Sequence, residues 1–212
     1  MKLLTTIILL TICFTATAQT FSSKKSLTFY PGTYIDTEAR YTDPTGINLI
    51  IQNSLPKWGT SLLDSTRRKE GFSSLIFFNR IINETNAAIE LIIDFTSDSL
   101  PSDESPGAYL KIFLPSDTMT LEKEVAYSYG LTSLASLFDR GAGKPTILHK
   151  TIDPRQDYLF YVVLFFYQPK TQQHHETGTR AGFELDAQSL FYKVNQPGFA
   201  SIPCGKIVLK KS

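Results

Sequence analysis

The sequence lacks an excess of charge of either sign. Its 212 residues carry 21 lysines and arginines against 20 aspartates and glutamates, a formal net charge of +1. Proteins that bind nucleic acids neutralise phosphate groups with a basic excess. The charge balance therefore argues against a nucleic-acid partner.

Long apolar runs are also scarce. The run from Leu3 to Phe14 is shorter than the roughly 20 residues that a membrane-spanning helix needs, and no later segment approaches that length. Lys2 before this run and Ala16-Thr17-Ala18 after it complete the pattern of a secretory signal peptide. We therefore predict a signal peptide over residues 1–18 and a single exported domain over residues 19–212, secreted, periplasmic or at the cell surface.

Cysteine occurs twice, and Cys13 lies within the predicted signal peptide. A lipoprotein signal would acylate Cys13, but Ile12 stands where such signals require a small residue. Cys204 then remains alone, which excludes an intrachain disulfide. Its apolar neighbours favour a buried thiol that packs as a small hydrophobic side chain. Pairing with another chain, or a reactive thiol, is the alternative.

Histidine is limited to His149, His174 and His175. His174-His175-Glu176, helped by His149, has the side chains of a zinc site. Adjacent residues on a strand point to opposite faces, however, and the surrounding threonines and glutamines predict a solvated loop. We expect no metal and no other cofactor. The sequence contains no HExxH, GxSxG or CxxC motif, so no motif indicates a catalytic site. A hydrolase remains an alternative, because its two catalytic carboxylates can lie far apart in the sequence.

Alternating hydrophobicity is the clearest structural pattern. In the stretch 89–95, IELIIDF, every second residue is apolar, as in a strand with one buried face. The preceding run 75–82 is apolar on both faces, and we interpret the two runs as antiparallel strands joined by a hairpin-like loop. Tyr158 to Tyr167 has no charged residue, which predicts a central strand covered on both faces. Further strands are predicted over 26–35, 46–54, 108–115, 145–152, 157–168, 181–186, 189–194 and 206–210.

A short series of leucines interrupts the strand pattern. Leu131, Leu134 and Leu137 follow helical spacing, and Gly141 stands where a helix would end, which predicts a short helix near 131–139. Short strands in series without βαβ alternation are typical of an all-β fold. We predict an antiparallel β-sandwich, immunoglobulin-like in outline, with one short helix; the Cys…Trp…Cys signature of true immunoglobulin domains is missing.

Two features resemble those of uncharacterised secreted proteins of Gram-negative bacteria. One is the signal-peptide junction, and the other is a set of triplets similar to the acceptor sequence of an O-glycosylation system in some of these bacteria. The triplets are Asp64-Ser65-Thr66, Asp98-Ser99-Leu100 and Asp117-Thr118-Met119. The resemblance names no functional family, but it implies Ser65, Ser99 and Thr118 as glycosylation candidates. Turn formation by Asp-Ser and Asp-Thr is the alternative explanation.

Aromatic residues supply the binding candidates. Tyr30, Tyr34, Tyr41 and the sole tryptophan, Trp58, lie in loop or strand-end contexts, and the stretch 127–130 adds two tyrosines. Flat aromatic faces with polar edges suit a glycan or peptide ligand. We therefore expect a non-enzymatic binding or adhesion module with a protein or glycan partner. A secreted hydrolase or metal-dependent enzyme, with a site assembled from distant residues, is the alternative; a concave pocket with converging acids would favour it.

Overall fold

Two antiparallel sheets form the framework of the protein. The computed structural model describes residues 21–26, 32–43, 48–59, 63, 65–95, 99–104, 106–132, 134, 146–169, 178–196, 198–199 and 201–210. Within these residues, thirteen strands account for both sheets. The predicted all-β sandwich is confirmed, while the immunoglobulin-like outline stays a prediction.

The larger sheet has the strand order β1-β2-β3-β5-β10-β8-β7, with β4 paired to β5. Its strands are β1 (Ser22–Ser26), β2 (Ile35–Thr42), β3 (Asn48–Ser54), β4 (Lys57–Trp58), β5 (Phe72–Asn83), β7 (Leu100–Pro101), β8 (Tyr109–Phe113) and β10 (Asp157–Tyr167). The smaller sheet has the order β11-β12-β13-β6-β9. Its strands are β6 (Ile89–Phe95), β9 (Thr146–Ile152), β11 (Ala181–Asp186), β12 (Ser189–Val194) and β13 (Ile202–Leu209).

The main core lies between the two sheets. β5 and β10 pair along their length, from Phe72 opposite Tyr167 to Ile82 opposite Asp157. Alternate side chains of each strand point to the smaller sheet and pack in the main core. β6 presents every second residue to the same core, as its alternation predicts. Burial of this apolar area is the main favourable contribution to folding.

A second core lies on the opposite face of the larger sheet. Ile76 and Phe78 of β5 and Tyr161 of β10 point to this face. Residues that follow β8 cover it, among them Met119 and Tyr129. Both faces of β5 and β10 are therefore buried, which confirms the predicted central strand and explains why these strands carry apolar residues in succession.

The predicted hairpin between 75–82 and 89–95 is wrong. β5 pairs with β3, β4 and β10 in the larger sheet, whereas β6 pairs with β9 and β13 in the smaller sheet. The link is an arch that crosses between the sheets. Asn83 stabilises it, because its side-chain Nδ2 donates to the carbonyls of Ala87 (2.9 Å), Ile152 (3.0 Å) and Asp153 (3.0 Å).

Of the strand predicted over 26–35, residues 27–31 lie outside the described residues, and the prediction is wrong for 32–34, which form a turn. β1 ends at Ser26 and β2 begins at Ile35, after a turn in which Gly32 has a φ of 84°. β2 itself, IDTEARYT, was not expected because its sequence is mainly polar; pairing with β1 and β3 on its two sides overrides this weak propensity. A short helix, α1 (Ser65–Glu70), was also not predicted. Most of the helix expected near 131–139 lies outside the described residues, but Leu131 and Leu134 are buried in the second core.

Candidate functional site

An exposed apolar patch lies beside strand β4. In the described part of the chain, five large apolar side chains are strongly exposed, and four of them belong to β4 or to the segment 121–130. These four are Trp58 (52% exposed), Leu121 (43%), Val125 (78%) and Tyr127 (65%); the fifth is Ile147 (63%) on β9. We call the four residues the Trp58 patch. Clustered exposed apolar side chains of this kind mark interaction sites more often than isolated ones do.

Hydrogen bonds bring the two parts of the patch together, although 70 positions separate them in the sequence. β4 is anchored to the larger sheet, where Trp58 pairs with Leu75. The Ser128 hydroxyl donates to the Trp58 carbonyl at 2.9 Å. A 3-10 turn, Leu121–Lys123, and a turn with left-handed backbone, Tyr127–Gly130, shape the segment that carries Val125.

Lys57 fixes this segment to the sheet. Its ammonium donates to the carbonyls of Glu124 (2.6 Å) and Ala126 (2.7 Å). The same nitrogen lies 4.0 Å from the centroid of the Tyr34 ring and 4.2 Å from that of Tyr129. Burial lowers the pKa of Lys57, and the nearby Glu124 carboxylate opposes that shift. Charge-assisted bonds and two cation–π contacts therefore hold the backbone on either side of Val125.

Left-handed backbone lies directly beneath the patch. Ser128, Tyr129 and Gly130 have φ values of 49°, 54° and 72°. For residues other than glycine, this conformation costs about 1–2 kcal/mol each. Buried hydrogen bonds offset the cost, because the Tyr129 hydroxyl donates to the Leu55 carbonyl at 2.6 Å and the Tyr161 hydroxyl donates to the Tyr129 carbonyl at 2.7 Å. The surface position of Tyr127 is thus set by a rigid, strained support, as at many functional sites.

A cleft of about 450 Å³ lies between β2 and β11. Asp36 and Arg180 meet across it, with 3.3 Å between Oδ1 and Nε, and Glu184 pairs with Lys193 at 2.6 Å. The remaining walls are largely apolar. The third carboxylate of the lining, Glu38, pairs with Arg40 on its own strand at 3.0 Å and accepts from Gln52 Nε2 at 2.8 Å. All three carboxylates are therefore engaged with protein groups, and the Asp36–Arg180 pair joins β2 to the start of β11.

The structure separates the aromatic residues singled out in the sequence. Trp58 and Tyr127 share the patch, and Tyr34 is half-buried beneath it against Lys57. Tyr41 is only 4% exposed; it packs in the main core, and its hydroxyl accepts a hydrogen bond from the Leu185 amide at 3.0 Å. Tyr41 therefore does not belong to a binding surface with Trp58. Tyr30 lies outside the described residues.

The three glycosylation candidates are exposed. Ser65 begins α1, Ser99 precedes β7, and Thr118 lies in the loop that follows β8. Asp64 and Asp98 of the same triplets lie outside the described residues. Modification of the three hydroxyls stays a prediction.

Cys204 is buried, as its apolar neighbours indicate. Its Sγ donates to the Leu190 carbonyl at 3.4 Å, and burial raises the pKa of the thiol to about 12. His174, His175 and Glu176 lie outside the described residues, and His149 is exposed on β9. The residues that the structure does describe contain no group of three His, Cys, Asp or Glu side chains placed to hold a metal ion. The helices in these residues are too short and too polar to cross a membrane.

Comparison with known proteins gives no match to a family model, to a curated protein or to a solved structure. The assignment of function therefore depends on the geometry of the chain itself.

Proposed function

We propose that the protein is an exported, non-enzymatic binding or adhesion module that docks a partner protein through the Trp58 patch. One observation carries the proposal: four of the five strongly exposed large apolar side chains of the described residues belong to β4 or to the segment 121–130 that is hydrogen-bonded to it. Half-buried Lys57 and the left-handed backbone of Ser128 and Tyr129 hold this segment against β4. Preorganisation of this kind lowers the entropy lost on binding.

The composition of the patch favours a protein partner over a glycan. Sugar hydroxyls require hydrogen-bonding groups beside an aromatic platform. The Lys57 ammonium and the Ser128 hydroxyl, which flank Trp58, already donate to backbone carbonyls. The exposed carboxylates of the segment, Asp117 and Glu122, lie before and within the 3-10 turn Leu121–Lys123 rather than on β4 beside the Trp58 ring. Val125 and Leu121 add aliphatic surface, which suits the apolar centre of a protein interface.

Site-specific photo-crosslinking in the native host tests this surface. A photo-reactive residue in place of Val125 is expected to give a discrete protein adduct, and a second substitution, Trp58→Ala, is expected to abolish it. The matched control carries the photo-reactive residue in place of Ile147, which is similarly exposed but lies on β9. The same adducts at both positions, or no protein adduct at Val125, would contradict the proposal. An adduct with a polysaccharide at Val125 would support the glycan alternative.

Export and the immunoglobulin-like outline are parts of the same proposal. The lysine, apolar run and Ala16-Thr17-Ala18 support removal of residues 1–18. Two antiparallel sheets packed face to face support the outline. The mature protein is expected to begin at Gln19. Sequencing of exported material that begins at Met1, or that is lipidated at Cys13, would exclude this maturation.

We also propose Ser65, Ser99 and Thr118 as glycosylation sites, because all three residues are exposed. Protein from the native host is then expected to exceed the mass of residues 19–212 in sugar-sized steps. Replacement of Asp64, Asp98 and the aspartate before Thr118 by alanine should remove these steps. An unmodified mass from the native host would reject the sites.

A further inference from the structure

We propose that the partner of the Trp58 patch presents apolar anchor residues flanked by lysine or arginine. This inference rests on the proposed function and concerns the charge around the patch. It names the chemistry of the partner and distinguishes such a partner from a second copy of this chain.

The acidic side chains beside the patch point to solvent. Glu122 is exposed in the same 3-10 turn as Leu121. A hydrogen bond with the Thr120 side chain lowers the pKa of the Glu122 carboxyl, so it is ionised at neutral pH. Asp117 is also exposed, and its charge helps to raise the pKa of Tyr161, whose hydroxyl donates to the backbone beneath the patch.

The two lysines described in the same region, Lys57 and Lys123, keep their charge, but their ammonium groups bond to the backbone of this chain. The Lys57 ammonium donates to two carbonyls of the segment that it anchors. The Lys123 ammonium donates to the Thr118 carbonyl. The Lys123 side chain runs along Gly130, where an added Cβ would lie 3.4 Å from its Cγ and Cδ.

Glu124 also faces inward, since its Oε1 accepts from the Tyr34 amide at 2.6 Å. Among the residues described here, Asp117 and Glu122 are thus the exposed acids of the segment, and together with Glu124 they outnumber the ammonium groups of Lys57 and Lys123.

Acidic residues around an apolar patch favour some binding partners over others. Complementary charges speed encounter and stabilise the complex, whereas like charges brought together at an interface are unfavourable. A symmetric dimer through this patch would bring each acidic border close to its own copy. A partner with basic residues around its apolar anchors can bury the same surface without that repulsion.

Trp58 provides a reporter at the site, because it is the only tryptophan in the chain. The test titrates the purified protein with two synthetic amphipathic peptides of equal length and identical apolar residues. One peptide carries lysine and the other glutamate at the remaining positions. We expect the lysine peptide to change the Trp58 emission with saturation, and its affinity to fall as salt is added. The glutamate peptide should bind more weakly or not at all.

Charge variants separate the local border from the overall charge. Asp117→Asn combined with Glu122→Gln should weaken binding of the lysine peptide by about three- to tenfold, the range expected for two exposed charges. The control, Asp103→Asn combined with Asp153→Asn, removes the same charge from exposed positions outside the patch segment and should leave affinity nearly unchanged. Val125→Ala combined with Tyr127→Ala keeps the reporter and should weaken both peptides.

The possible failures are distinguishable. The inference of a basic partner would be overturned if the glutamate peptide bound as tightly as the lysine peptide or more tightly. It would also be overturned if the two pairs of charge variants had equal effects. In both cases the patch would still be a binding surface. Trp58 emission that changes with protein concentration alone, together with a dimeric mass in solution, would replace the basic partner with a second copy. Absence of any response to both peptides would also overturn the basic partner, while the Val125 crosslinking experiment decides the proposed function independently.

Discussion

The side-chain amide of Asn53 pairs with both backbone groups of Phe183. The Phe183 amide donates to Oδ1 at 2.8 Å, and Nδ2 donates to the Phe183 carbonyl at 3.2 Å. Phe183 lies on β11, an edge strand that pairs with β12 on its other side. One side chain of the larger sheet therefore takes the place of a neighbouring strand and protects an edge that would otherwise be open to pairing.

Asn53→Ala should destabilise the fold strongly. The substitution leaves the buried amide and carbonyl of Phe183 without these partners, and each such group costs about 1–3 kcal/mol. We expect a loss of about 2–4 kcal/mol in the free energy of unfolding, measured by chemical denaturation. Asn86→Ala is the matched control, because Asn86 is exposed and its side chain accepts a hydrogen bond from the exposed Arg155 rather than from a buried backbone group. Equal effects of the two substitutions would contradict this role for Asn53.

Gly182→Ala should also destabilise the protein, and the effect should depend on Asn53. An added Cβ at Gly182 would lie 2.4 Å from Asn53 Cγ and 2.8 Å from Asn53 Cβ. Overpacking of this kind costs about 1–3 kcal/mol. In the Asn53→Ala background the clash with Cγ disappears, so the second substitution should cost less. A double-mutant cycle measures the coupling, and strict additivity would show that close approach to Asn53 is not the reason for glycine here.

Local patterns in the sequence predicted most strands but not their partners. β6 alternates between apolar and polar residues because only one of its faces is buried. β10 has an unbroken apolar run because both of its faces are buried. The arch between β5 and β6 depends on Asn83, whose amide reaches carbonyls at 152 and 153. A contact across 69 positions leaves no local pattern, and the polar loop by itself is typical of a hairpin.

The site was predictable only in part. Trp58 and the tyrosines at 127–130 are recognisable as binding candidates because aromatic residues are common at interfaces. Their assembly depends on bonds from Lys57 and Ser128 to distant carbonyls. The left-handed conformation of Ser128 and Tyr129 has no sequence signal, since glycine or asparagine is the usual residue there. The exposure of Val125 follows from that geometry and was missed.

Lys57→Met should loosen the patch and lower stability. Methionine keeps an unbranched apolar side chain but removes the charge, two hydrogen bonds and two ring contacts. We expect a loss of about 1–3 kcal/mol in the free energy of unfolding and a lower anisotropy of Trp58 fluorescence. Lys210→Met is the control, because the Lys210 ammonium forms an exposed ion pair with Glu90 at 3.5 Å, worth at most about 1 kcal/mol. Unchanged Trp58 anisotropy in Lys57→Met would show that Lys57 does not hold the segment.

Tyr161 should make the protein sensitive to alkaline pH. Burial, aided by the charge of Asp117, raises the pKa of Tyr161 from 10.0 to about 12. A folded-state pKa above the unfolded value means that the folded state holds the proton more tightly. The protonated Tyr161 hydroxyl therefore contributes to the free energy of unfolding. This contribution is fully present below pH 10 and is lost as the pH rises through about 12.

Tyr161→Phe separates this linkage from the other titrating groups, which both proteins share. Near neutral pH the variant should be less stable by about 1 kcal/mol, because the Tyr129 carbonyl loses its donor. Between pH 10 and 12 the parent should lose stability more steeply than the variant, so the difference between them should shrink. Denaturation followed by circular dichroism at several pH values measures both slopes. Tyr127→Phe, at an exposed tyrosine, is the control and should parallel the parent; parallel curves for Tyr161→Phe as well would show that the buried hydroxyl does not control alkaline unfolding.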